Sequence, residues 1–159
     1  MGQCGHHPAL ERVSLSILDA SVVLKWFVDE RESQAALRIR EEFVHENLPI
    51  IVPDLLLFEC ANALRYHPDF SEEEVHQSID SLFQLGIDII TPTSSLLKKG
   101  TSIAVTNDVT VYDATYLALA HEIQDEFITA DEKFYQKVQK QFPDTITLLR
   151  DRKSTDNTN

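Results

Sequence analysis

The apolar positions along the chain fall into short runs separated by longer stretches with helical spacing. Residues 13–18 (Val-Ser-Leu-Ser-Ile-Leu) alternate polar and apolar before closing on two apolar residues, which predicts a strand with Asp19 at its carboxyl end. Residues 32–46 carry Ala36, Ile39, Phe43 and Val44 on one helical stripe, and Ile50 to Val52 forms a short strand stopped by Pro53. Residues 54–65 are too long and too rich in Leu and Ala for a strand. Being apolar nearly all round, they predict a buried helix, broken by His67-Pro68-Asp69. Ser71 and Glu74 make a capping box for a helix over 71–85, with Val75, Ile79, Leu82 and Phe83 as its apolar face, and Gly86 ends this helical hairpin. A strand over 87–90, helices over 93–105 and 111–123, a strand over 126–129, a helix over 131–141 and a strand over 145–148 complete the pattern.

Short β-runs separated by helices predict βαβ units: an α/β fold of three layers, α/β/α, around a central parallel sheet. In such sheets ligands bind beyond the carboxyl ends of the strands. Asp19 and Asp131 each lie just past a strand end and Asp113 opens a helix, so the topology can bring them to one edge.

Composition narrows the reading. The 159 residues suit one domain, expected over 13–149, with a flexible leader over 1–12 and a polar, disordered tail over 150–159. There are two cysteines: Cys60 sits in an apolar run and reads as a core residue, while Cys4 lies in the leader with His6 and His7. That is no disulfide framework, and the compartment is expected to be cytoplasmic. No apolar stretch approaches the roughly 18 residues of a membrane span, and the first residues lack the apolar segment of a signal peptide. The net charge of −12 is awkward for a nucleic-acid binder unless metal ions and a local basic patch offset it. Cations near the acids are few: Lys25, Arg31, Arg65 and the pair Lys98-Lys99, the last two reading as a solvated face. The six histidines are scattered and none pairs with another candidate residue.

Glu59 is the most informative acid. It stands in a helix whose other positions are almost all apolar, where a carboxylate is costly unless paired or metal-bound. Asn62, three residues on, shares its face. The remaining acids also admit purely structural readings: Asp113 as the N3 acid after a Thr110 cap, Asp131 as the cap of the last helix, Asp19 as a turn residue. Four carboxylates in one pocket repel, by about 4 kcal/mol per pair 4 Å apart at an effective dielectric of 20. A hard dication removes that cost, and oxygen-only ligands select Mg²⁺ or Mn²⁺.

Four blocks occur in order: Ile17-Leu18-Asp19-Ala20-Ser21, Phe58-Glu59-Cys60-Ala61-Asn62-Ala63-Leu64, the run from Val111-Tyr112-Asp113 to Ala120, and Thr129-Ala130-Asp131. Together they resemble the PIN-domain ribonucleases, especially the toxin of prokaryotic VapBC toxin–antitoxin pairs, over roughly residues 14–149. The resemblance implies an Mg²⁺- or Mn²⁺-dependent endoribonuclease with Asp19, Glu59, Asp113 and Asp131 as its catalytic and metal-binding quartet. Ser21 and Thr129 match small hydroxyl residues that support the site, and Asn62 is a further supporting candidate. It also implies RNA hydrolysis by metal-activated water leaving a 5′-phosphate, a homodimer, and a cognate antitoxin whose C-terminal segment covers the active site, with the 54–85 hairpin in that surface.

A haloacid-dehalogenase-type phosphatase wants a second Asp where Ser21 stands, and a phosphotransfer receiver wants an acidic pair and a lysine that have no clear counterpart. Flap-cutting nucleases of related fold are larger. A non-catalytic binding module of the same fold would not need all four acids.

Overall fold

The protein is described by a computed structural model covering residues 12–45 and 48–153. The expected leader up to residue 11, with Cys4, His6 and His7, and the tail from residue 154 lie outside the described residues. Five strands form one parallel sheet: β1 (Ser16–Leu18), β2 (Ile50–Pro53), β3 (Asp88–Ile90), β4 (Glu126–Thr129) and β5 (Ile146–Leu148), in the spatial order β3-β2-β1-β4-β5. Helices cover both faces, the α/β/α arrangement expected. They are α1 (Ala20–Val23), α2 (Ser33–Val44), α3 (Leu55–Tyr66), α4 (Glu72–Gln84), α5 (Ser94–Asn107), α6 (Val111–Ile123) and α7 (Glu132–Val138).

β1 is the centre of the sheet, with Ile17 opposite Ile51 on one side and Phe127 on the other. Buried on both faces, it is shorter than the 13–18 expected, and it buries Ser16 along with Ile17 and Leu18, so its polar–apolar alternation does not separate an inner from an outer face. The sheet order reverses at β1 and β4, the switch point where open α/β sheets form a crevice. The backbone N–H of Asp19 donates to the carbonyl of Ile128 at 3.0 Å, locking the end of β1 to the end of β4. The acids after these two strands are therefore neighbours.

α6 is the central helix: Ala114 through Ala120 are all buried. It packs on α5 at Gly100, where a Cβ would stand 3.1 Å from Thr115 Oγ1 and 3.4 Å from Thr115 Cα, so the absence of a side chain permits the close approach. Ser71 and Glu74 make the expected capping box.

Three expectations give way. α3 is not buried all round: Leu56, Cys60 and Leu64 face the core, while Phe58 and Tyr66 are more than 70% exposed. Two short elements were missed, α1 and a 3-10 turn over Leu24–Trp26, because neither is long enough to show a period. Finally, the polar stretch from residue 150 is partly ordered. Leu149–Asp151 is a 3-10 turn, and Arg152 lies almost wholly buried with two N–H groups on Glu42, at 3.1 and 2.8 Å. At the other end, Arg12 is tied to Asp125 at 2.9 Å. Among the described residues, no helix is long and apolar enough to cross a membrane.

Candidate active site

Asp19 is the buried member of the acidic set, 7% exposed at the tip of β1. It stands in the N-cap position of α1, yet its side chain makes no cap bond. Instead, Oδ2 accepts hydrogen bonds from Ser21 Oγ and Thr129 Oγ1, each at 2.7 Å. The same hydroxyls receive backbone N–H groups: Ala130 N donates to Ser21 across the switch point at 3.0 Å, and Asp131 N donates locally to Thr129 at 3.0 Å. Ser21 and Thr129 thus hold Asp19 and set the chain direction leading into Asp131.

Asp131 caps α7, its Oδ1 accepting from Phe134 N at 2.9 Å. Asp113 lies in the first turn of α6, its Oδ2 accepting from the capping hydroxyl of Thr110 at 2.9 Å. The structural readings of these two acids are therefore real, and each uses up only one carboxylate oxygen. Glu59 lies on α3 at the edge of the core, and its Oε1 accepts from Tyr116 Oη at 2.7 Å. Tyr116 is fully buried on α6 and stacked on Phe127, so the sheet core fixes the phenol that fixes Glu59. No sequence motif singles out Tyr116 as a site residue. Its signal was a hydroxyl in a run otherwise destined for the core, which must find a partner there.

The four acids share one pattern. Each has one oxygen held by a hydrogen bond, and the second makes none among the described residues. Their charges interact as well. Burial is the main cause that raises Asp19 to a pKa of about 6, with Asp113 and Asp131 adding to it against the pull of the two hydroxyls. Glu59 is raised to about 7, first by burial, with the Tyr116 bond pulling it down and Asp19 and Asp113 pushing it up. Asp113 is raised by burial, opposed by Thr110 and reinforced by Asp131. Near as they are, no three Asp, Glu, His or Cys side chains among the described residues are drawn together closely enough to hold a metal ion as they stand. The chemistry of the donor set nonetheless fits a hard dication: it is all oxygen, each carboxylate is anchored on one side, and their mutual repulsion is what a cation relieves.

Asn62 is exposed and lines the same cleft as Glu59, but makes no hydrogen bond to it among the described residues. Two of the cations expected nearby are engaged elsewhere: Lys25 is buried against Glu30 at 2.9 Å, and Lys99 pairs with Glu122 at 2.9 Å. Cys60 is a buried free thiol pushed up to about 12, chiefly by burial, which leaves it inert at neutral pH.

The family model for the PIN domain matches residues 16–140. The chain is 29% identical over 135 residues to Ribonuclease VapC3 of Pyrobaculum aerophilum, a match covering 82% of this chain and 97% of that protein. It shares its fold with VapBC2 from Rickettsia felis, solved bound to a DNA fragment from its promoter, at a TM-score of 0.62 and 13% identity over 84% of this chain and 98% of that one. It also shares the fold of PAE2754 from Pyrobaculum aerophilum, at a TM-score of 0.61 and 17% identity over 87% and 91% of the two chains.

Proposed function

The chain belongs to the PIN-domain family and is related to the VapC toxins of VapBC toxin–antitoxin systems, and from that premise we propose that it is a divalent-metal-dependent endoribonuclease acting as such a toxin. Asp19, Glu59, Asp113 and Asp131 are its catalytic residues and hold Mg²⁺ or Mn²⁺, with Ser21 and Thr129 supporting Asp19. The observation that carries this reading is the shared pattern of the four carboxylates, each anchored through one oxygen with the other left over.

When bound, a dication of this kind activates water and neutralises charge on the phosphate under attack. The protein's own groups do the rest. Ser21 and Thr129 keep Asp19 ionised and oriented in a buried position where it would otherwise retain its proton. Glu59 is held on Oε1 by Tyr116, and one of the four carboxylates takes the proton of the attacking water. A haloacid-dehalogenase-type cycle loses its second acid, since Ser21 occupies that position and is bound to Asp19.

The protein acts in the cytoplasm as a homodimer, and its antitoxin inserts a C-terminal segment against α3 and α4. Between those helices runs a cavity of about 600 Å³ walled by Phe58, Ala61, Phe70, Val75 and Ile79. The test is cleavage of a mixed structured RNA by purified protein with Mg²⁺, with Mn²⁺ or with EDTA, beside Asp19→Asn and Asp113→Asn. Cutting should need the metal and fall roughly 100-fold in each variant. Equal cutting by all three proteins, or cutting in EDTA, overturns the reading.

A further inference from the structure

The hydrogen bonds that hold the four acids differ in how readily they exchange. Asp113 leans on the hydroxyl of Thr110, an exposed residue where water is an alternative donor. Asp131 takes a backbone N–H, and Asp19 takes two hydroxyls on the same oxygen. Glu59 is held differently. It is half-buried on α3, and among the described residues its Oε1 has one partner, the phenol of Tyr116 at 2.7 Å. That phenol belongs to a fully buried side chain. Its ring lies nearly parallel to Phe127, with centroids 5.7 Å apart and planes 13° from each other. Phe127 in turn meets Phe134 in a T-shaped contact at 6.1 Å. A ring packed in this way does not swing aside, and a buried hydroxyl without Glu59 would be left unsatisfied. The bond is therefore the most rigid side-chain restraint on any of the four acids.

A carboxylate turned by such a bond leaves one oxygen for a cation. The same holds for the other three, so the set offers four carboxylate oxygens at most, one from each acid. Cations differ in what they need. Ca²⁺ takes roughly six to eight oxygens and commonly grips a carboxylate through both of its own. Mg²⁺ demands a near-octahedral shell of about six, keeps several waters, and is satisfied by one or two carboxylates. Mn²⁺ shares the octahedral, all-oxygen preference. One-oxygen carboxylates thus suit Mg²⁺ and Mn²⁺ and handicap Ca²⁺. Glu59 has the longest side chain of the four, so it is the acid best able to turn both oxygens inward, and the phenol stops it.

Resting on the metal-dependent ribonuclease reading above, we propose that Tyr116 sets the site's choice of cation: by holding Oε1 of Glu59 it denies Ca²⁺ a two-oxygen grip and leaves Mg²⁺ and Mn²⁺ favoured. Tyr116 touches neither metal nor RNA in this account. It is a positioning residue that acts through Glu59.

The test uses Mn²⁺ and Ca²⁺ alone, without RNA. Mn²⁺ bound to the full chain is followed by electron paramagnetic resonance and displaced with Ca²⁺, in the wild type, Asp19→Asn, Tyr116→Phe and Tyr112→Phe. Tyr112 is the control: it stands on the same helix, is 64% exposed, and makes no hydrogen bond to an acid among the described residues. Tyr116→Phe keeps the ring on Phe127, and a cooperative melt close to the wild type's excludes a folding defect. The ratio of Ca²⁺ to Mn²⁺ affinity should rise roughly tenfold or more in Tyr116→Phe and stay at the wild-type value in Tyr112→Phe. A phenol that only steadied the fold would weaken both ions alike. An unchanged ratio in Tyr116→Phe therefore overturns the proposal, as does an equal rise in Tyr112→Phe. Where either result accompanies Mn²⁺ binding that Asp19→Asn weakens, the acid site stands and Tyr116 alone loses its role. Mn²⁺ binding that Asp19→Asn leaves unchanged takes the cation away from the acids, and overturns the metal-dependent reading together with this one.

Discussion

At the scale of single residues, the site is built by giving each acid a local task that uses half of it. Thr110, Tyr116, the pair Ser21 and Thr129, and the amide of Phe134 each hold one carboxylate oxygen. A capping role and a catalytic role are thus compatible in Asp113 and Asp131, which is why neither reading could be discarded from sequence. Burying the acids has a cost that shows in their titration, and their mutual repulsion adds to it. Asp19 and Glu59 have native pKa values of about 6 and 7, above their ordinary values of 3.8 and 4.5. A carboxyl raised in this way binds its proton more tightly in the folded than in the unfolded chain. Its stabilising contribution is complete below its ordinary pKa and is lost as pH rises through the native one. The metal-free protein should therefore lose stability between about pH 4 and pH 7 in urea denaturation. A rise or a flat profile across that window would show that the acids are not packed as described.

At the scale of elements, what could be read in the sequence was whatever leaves a periodic trace. The apolar runs that end at Asp19 and Thr129 locate the sheet edge, and the Ser71–Glu74 box locates α4. α1 spans four residues and has no period to show. α3 misled for a different reason. Leu and Ala content reports that a surface wants burial and is silent on what buries it, so the exposed Phe58 and Tyr66 could not be told from core residues. The polar end of the chain hid a contact across 110 residues: Arg152 forks onto Glu42 of α2, with its side chain 6% exposed. No local pattern encodes a pairing at that separation. Removing the guanidinium takes away both of these charge-assisted hydrogen bonds, so Arg152→Ala should lower unfolding stability by about 3 kcal/mol in denaturant titration. A loss within 0.5 kcal/mol would mean that this end of the chain is not anchored on α2.

At the scale of the whole molecule, a net charge of −12 and a nuclease reading are reconciled by where the charge sits. Glu59, Asp113 and Asp131 border cavities at the start of α6, with Asp19 buried close enough to feel their charge, and a dication bound there would turn repulsion into an attraction for phosphate. The surface acids elsewhere would also collect cations loosely, so binding by itself is uninformative and location decides. The most direct measurement is a Mn²⁺ titration followed by electron paramagnetic resonance. It would compare the wild type with Asp19→Asn, Asp113→Asn and, as a surface control, Glu73→Gln on the exposed face of α4. The account predicts saturable binding that weakens roughly tenfold or more in each cleft variant and is unchanged in the control. Isotherms that coincide in all four proteins would contradict it, because the ion would then be held by diffuse surface charge and not by the four carboxylates.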